Sequence, residues 1–329
     1  MLKKTIALAL AVSGAAYAQE FKPAVVFDLG GKFDKSFNEG VWNGVKRFSE
    51  ETGIEVLEYE VSSEAERKQA IERMVKRRGA TAVLGIGFGQ ADALAEIAAA
   101  NPDVQFGIID VNWLDGANIK QYGFQEHEGS YLVGVAAAKA SKTGKAGFVG
   151  GMDIPLIRRF ACGYAQGFKD AGGSEVYVNM TGDTAAAWNN PTRGGELAQS
   201  QFDRGADVVF AAAGGTGVGV LQAAKDKGKL AIGVDSNQNH LHPGTMLTSM
   251  LKRVDVAAYN FFKEAQSGRV EGAVHTLGLK DEGVGWAVDE HNEDMVASFR
   301  ADIDKARDDI IAGRIEVNDY FVLEGCPSY

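Results

Sequence analysis

The strongest constraint on this chain is a rhythm. Apolar runs of strand length alternate with longer amphipathic stretches, almost without interruption. Ala24–Asp28 is apolar and ends in an acid. A stretch with Phe37, Val41, Val45 and Phe48 on one helical face follows. Ser36 and Glu39 have capping-box spacing at its start, and Gly53 stops it. Ile54–Tyr59 reads as the next strand. Ser63 and Glu66 read as caps of a helix ending in Lys76-Arg77-Arg78-Gly79, where the basic residues complement the helix dipole. Thr81–Gly85, a helix to Ala100, the break at Asn101-Pro102 and Val104–Asp110 extend the series. A second series follows a helix near Ser130–Ser141. It comprises Lys145–Val149, a helix over Ile154–Ala171, Glu175–Met180, a helix opened by Asn190-Pro191, Ala206–Ala211, a helix to Lys227, and Leu230–Asp235. Strands separated by helices of this length predict βαβ units and parallel sheets. Two such series in 329 residues predict an α/β fold of two doubly wound parallel-sheet lobes. Met246–Tyr329 is too short for a third domain and is expected to supply crossovers between the lobes.

The N-terminus has its own pattern. Lys3 and Lys4 precede an apolar run from Thr5 to Ala16, which closes in Ala16-Tyr17-Ala18. This is the pattern of an export signal, with residues 1–18 expected to be cleaved after Ala18. The run is too short to remain as a membrane span. The expected location is a bacterial periplasm, and with no Cys near the cleavage site the protein is expected to carry no lipid anchor. Loss of Lys3 and Lys4 takes the formal net charge from −10 to −12, which disfavours nucleic acid as a partner. The two cysteines, Cys162 and Cys326, fit either a disulfide stapling the tail to the body or two free thiols.

In an open parallel sheet, ligands bind beyond the C-terminal ends of the strands. The residues found there share a chemistry. Asp28, Gly30-Gly31, Phe37 and Asn38 follow the first strand, and Asp110, Asn112 and Trp113 follow the fourth. The second half contributes Gly150-Gly151, Trp188, Gly214-Gly215-Thr216 and Asp235. Acids and amides suit ring N–H and sugar hydroxyl groups, aromatic faces suit a flat ring, and glycines let the backbone approach closely. Each has a plainer reading. Phe37 lies on the apolar face of its helix and suits a core equally well. The aspartates suit turns and caps.

A set of motifs runs over most of the chain: Asp28 with Asp34-Lys35-Ser36-Phe37-Asn38 and Gly44, then Gly147-Phe148-Val149-Gly150-Gly151, and Gly205-Ala206-Asp207-Val208-Val209-Phe210. Ala213-Gly214-Gly215-Thr216-Gly217, Ile232-Gly233-Val234-Asp235 and Leu247-Thr248-Ser249-Met250-Leu251-Lys252 continue it. Together they resemble the basic membrane protein family, the substrate-binding proteins of ABC importers whose type member is a purine nucleoside receptor. The resemblance implies a type I periplasmic binding fold with three crossovers, closing around its ligand. The lobes would comprise 19–126 with about 252–277, and 127–251 with about 278–329. It also implies a purine nucleoside or base stacked between Phe37 and Trp188. Asn38 and Asp110 would read the base edge, with Asp28 in the same loop region. Gly214 or Gly215, Asp235 and Lys252 would lie on the ribose side. An inner-membrane ABC permease is the implied partner of a monomeric receptor. Trp188 stands where the family usually has Phe, and some members resemble receptors for flavins.

Other classes fit less well. The first strand–helix turn, Asp28-Leu29-Gly30-Gly31-Lys32-Phe33-Asp34, lacks the dinucleotide glycine spacing. There is no Walker A run and no G-x-S-x-G elbow. His240-x-His242 lacks a third metal ligand, so neither metal nor cofactor is expected. A bilobal transcription regulator would carry a helix-turn-helix where the export signal stands. A chemoreceptor-coupled binding protein would share the pocket. The expected protein is a receptor, not an enzyme.

Overall fold

The central strands are continuous apolar runs because helices cover both faces of each sheet. In the computed structural model, which describes residues 20–268 and 270–329, β1 (Pro23–Phe27), β3 (Ala82–Ile86) and β8 (Val208–Ala212) are buried at every position. The edge strand β2 (Leu57–Glu60), by contrast, alternates in burial along its length. The export signal and its Ala16-Tyr17-Ala18 site lie outside the described residues.

The first sheet also contains β4 (Gln105–Ile109), β5 (Ile119–Phe124) and β11 (Ala273–Leu277), in the order β11-β5-β4-β3-β1-β2, all parallel. The second contains β6 (Lys145–Met152), β7 (Glu175–Gly182), β9 (Leu230–Asp235), β10 (Met246–Lys252) and β12 (Val284–Trp286), in the order β12-β10-β9-β8-β6-β7. Only β12 runs antiparallel to its neighbour. The five strands of each series therefore stand in the same order, and each sheet gains a sixth from the C-terminal segment. The fold is two doubly wound α/β lobes.

Helices α1 (Phe37–Thr52), α2 (Arg67–Glu72) and α3 (Ala91–Ala100) belong to the first series. Helices α4 (Glu126–Ala140), α5 (Pro155–Asp170), α6 (Pro191–Asp203) and α7 (Gly217–Asp226) belong to the second. α8 (Val254–Ser267) returns to pack on α1, and Gly44 permits that crossing, since a Cβ there would collide with the Asp255 carbonyl. Short α9 (Glu293–Val296), α10 (Arg300–Ile311) and α11 (Tyr320–Leu323) end the chain. The chain passes between lobes three times: at Gln125 between β5 and α4, at Arg253 between β10 and α8, and over 278–283 between β11 and β12.

The structure departs from the sequence expectations at defined points. Ser36 and Glu39 form no capping box. The Asp34 carboxylate accepts from the amides of Ser36 (2.8 Å), Asn38 (3.0 Å) and Glu39 (3.1 Å) instead, and the Ser36 hydroxyl crosses to the other lobe. The Ser63 hydroxyl accepts no capping hydrogen bond either; Glu66 accepts from Ser62. The second strand is Leu57–Glu60 rather than Ile54–Tyr59. The sequence expectations lack β5, which the chain reaches from β4 through a loop without a helix. Cys162 and Cys326 form a disulfide, with Cα atoms 5.3 Å apart.

Candidate functional site

Both sheets point the C-terminal ends of their strands at one cleft between the lobes. Its space is about 670 Å³ with the mouth included, within the usual range for small-molecule pockets. The first lobe begins its wall with Asp28, one residue beyond β1. Arg67 Nε lies 3.1 Å from Asp28 Oδ1. Burial pushes this carboxyl up, and the Arg67 guanidinium opposes the shift.

The next part of the wall is the start of α1. Capping by Asp34 fixes this turn and so aims Phe37 and Asn38 into the cleft. Phe37 is half-buried: it lines the cleft and also packs against the core. The Asn38 side-chain amide donates to the carbonyls of Gly31 (3.1 Å) and Asp28 (3.5 Å). Those acceptors orient the group and leave its Oδ1 buried without a hydrogen-bond partner. A buried acceptor is normally satisfied, and this one belongs to a residue that lines the cleft.

The second lobe supplies Trp188, at the end of a 3₁₀ turn over Ala185–Trp188. Its ring lies on Gly151, where any Cβ would overlap it. Gly214 lines the cleft beside the indole. Gly215 does not line it and instead backs the Trp188 carbonyl. Asp235 ends β9 and accepts from the Ser36 hydroxyl of the other lobe at 2.5 Å. Burial pushes its carboxyl up to about 6, against the pull of Lys252 and Ser36.

Lys252 ends β10, and its side chain is 2% exposed. Its Nζ lies 2.7 Å from Asp110 Oδ1 and 3.0 Å from Glu126 Oε1, with the Phe37 ring 5.3 Å away. Burial alone would discharge this amine. Asp110, Glu126 and Asp235 outweigh that and hold it protonated, above the ordinary lysine range. Burial likewise pushes Asp110 up to about 6, with Lys252 opposing. Asp110, the expected reader of a base edge, thus lines the cleft already paired with the lysine.

Of the nine residues that the family resemblance implies, eight meet in this cleft; Gly215 stands one layer behind. Sequence reasoning missed Glu126. Its Oε1 meets Lys252 and its Oε2 meets Arg159 at 2.8 Å, and Arg159 is held in turn by Asp319 at 2.6 Å. A buried chain of charge thus runs from Asp110 to the C-terminal tail. The apolar walls Leu156 and Phe160 were missed too; Phe160 reads in sequence as ordinary core. The lobes touch directly: Ser236 Oγ donates to the Ser36 carbonyl and Gln238 Nε2 to that of Lys35, both at 2.8 Å. Among the described residues, no group of three acidic, His or Cys side chains is placed to hold a metal ion, and no helix is long and apolar enough to cross a membrane.

The sequence profile of the PnrA-like ABC transporter substrate-binding proteins matches residues 21–320. The chain is 31% identical over 319 residues to the ABC transporter nucleoside-binding protein BmpA of Lactococcus lactis subsp. cremoris, covering 91% of this chain and 89% of that one. It is 33% identical over 310 residues to an uncharacterised lipoprotein of Pyrococcus abyssi, covering 88% and 74%. Its structure is similar to a solute-binding protein of an ABC transporter system from Aeropyrum pernix K1, with a TM-score of 0.82, 29% identity, and coverage of 91% and 93%. The two-lobed architecture is that of the periplasmic binding proteins. The chain belongs to the PnrA-like family of ABC transporter substrate-binding proteins, the basic membrane proteins.

Proposed function

We propose that this receptor binds a purine nucleoside, or its free base, between its lobes and delivers it chemically unchanged to an inner-membrane ABC permease. The observation that carries this reading is a cleft lined by two half-buried aromatics, Phe37 and Trp188, together with Asn38, whose Oδ1 has no hydrogen-bond partner within the protein. Phe37 and Trp188 stack on the base, and Asn38 accepts from its edge, with Asp110 beside it and Asp28 at the back of the loop. Asp235 accepts ribose hydroxyls, Lys252 donates to a ribose oxygen, and Gly214 keeps the backbone low over the sugar, with Gly215 supporting Trp188. The name of the Lactococcus relative supports a nucleoside. The passages at Gln125, Arg253 and 278–283 act as a hinge, with the lobes dividing near 126, 252 and 277. The protein is exported as a monomer, loses residues 1–18 and diffuses without a lipid anchor.

Native mass spectrometry of protein purified without denaturation tests the ligand, followed by calorimetry with nucleosides, bases, riboflavin and sugars. A purine nucleoside is expected in the released material. Release of a sugar or flavin, with no response to nucleosides, would overturn the reading. An N-terminus at residue 19 in exported material is expected, and acylated protein in a membrane fraction would refute the free form.

A further inference from the structure

A second chamber adjoins the cleft and has no part in the reading above. It encloses about 800 Å³ with its mouth and shares Phe88, Asp110 and Leu156 with the cleft as a common wall. Trp113 from the first lobe and Phe321 from the second also line it, 59% and 46% exposed. The Arg159 guanidinium lies 4.8 Å from the Phe321 ring, and both aromatics border the chamber, where a flat or apolar group can pack on them. The charges in its wall are spent on one another. Arg159 holds Asp319 and Glu126, Glu126 holds Lys252, and Lys252 holds Asp110. No cation there is left for a phosphate, and no acid for an amine. What remains is apolar and aromatic surface, with the uncharged Asn112 and Thr276 making no side-chain hydrogen bonds among the described residues.

We propose that this chamber is a subsite for an uncharged aromatic or apolar substituent carried on the base, so that the receptor accepts base-substituted purine nucleosides as well as plain ones. The inference rests on the nucleoside reading. In that reading Asp110 meets the base edge, and the same Asp110 forms part of the wall between cleft and chamber. A group on the base edge therefore points past Asp110 toward Trp113 and Phe321.

Calorimetry compares adenosine with adenosine bearing a benzyl group on its exocyclic amine, in the parent protein and in Trp113→Ala and Phe321→Ala. Both altered side chains are partly exposed, so the variants should fold. The benzyl compound is expected to bind at least as tightly as adenosine. Each substitution should weaken it about tenfold, the scale of one lost stacking contact, and leave adenosine within about twofold. Tight adenosine binding with the benzyl compound excluded, or bound equally by all three proteins, overturns the subsite alone. If neither compound binds, the nucleoside reading fails and the subsite with it. Binding of the benzyl compound alone, sensitive to Trp113→Ala, supports the subsite.

Discussion

The two lobes repeat one strand order, yet they bring different chemistry to the cleft. At the fourth strand of each series they agree. β4 and β9 are both followed or ended by an aspartate in the left-handed region, Asp110 at φ 66° and Asp235 at φ 63°. That backbone is uncommon for a residue with a side chain, and Asp tolerates it better than most. The repeated turn thus presents two buried acids to one lysine. At the first strand the lobes diverge. The end of β1 presents Asp28 with its Arg67, whereas the end of β6 presents Gly151 beneath the Trp188 ring. At the fifth strand they complement each other, since β5 leads into Glu126, β10 ends in Lys252, and these two pair. What the fold repeats is a pair of acids; what distinguishes the lobes is Asp28 with its Arg67 in the first and the glycine-seated indole with Lys252 in the second.

The comparison breaks hardest at Lys252. Lys252→Met leaves Asp110, Glu126 and Asp235 buried without their common cation. We expect a loss of about 3–5 kcal/mol in denaturant unfolding. A loss under 1 kcal/mol would show that the acids do not depend on it. The equivalence of the two aspartates is tested next. Asp235→Asn should weaken a nucleoside roughly tenfold to a hundredfold more than the matching free base, the scale of hydrogen bonds to a charged group. Asp110→Asn should weaken both alike. Equal behaviour of the two variants would remove Asp235 from the sugar.

The divergence at the first strand gives a smaller effect. Gly151→Ala forces the indole off its seat and should approach the loss seen for Trp188→Ala, about 1–3 kcal/mol of binding. Phe37→Ala should cost a similar amount. Full affinity in Gly151→Ala would mean that Trp188 does not stack on ligand. The mildest test is pH. Burial raises the Asp235 carboxyl from its ordinary value to about 6, so the unliganded site carries the carboxylate mainly above that pH. Nucleoside affinity should therefore hold from pH 8 to 6.5 and fall by up to about tenfold per unit below 6. Folding stability has the opposite sign. A raised carboxyl pKa contributes stability below about pH 4 that is lost as pH rises through 6. Affinity titrations beside denaturation of the unliganded protein separate the two, and affinity flat to pH 5 would contradict the assignment.

Much of this was legible because parallel strands covered on both faces must be apolar and must end where ligands bind. Phe37, Asn38, Trp188 and Asp235 were found on that principle. β5 was not, since Lys120 and Gln121 interrupt its apolar run. They are buried only because Lys120 meets Glu264 and Gln121 bonds the backbone at Leu114. Glu126 was hidden for a related reason. In sequence it is a charge beside His127, and its burial depends on Arg159 and Lys252, which lie far along the chain. The Ser36 capping pattern misled because Asp34, two residues earlier, competes for the same amides. Local spacing reveals who is near a strand end, but not which acid wins a shared donor.

The bridge between Cys162 and Cys326 has a consequence for how the receptor comes into being. It fastens the tail that carries Asp319, the partner of Arg159, whose other partner Glu126 braces the pocket lysine. Synthesis delivers this tail after every wall of the binding site. Oxidation then locks the distant counter-ion in place, so the site reaches its settled electrostatic state only once the bridge has closed.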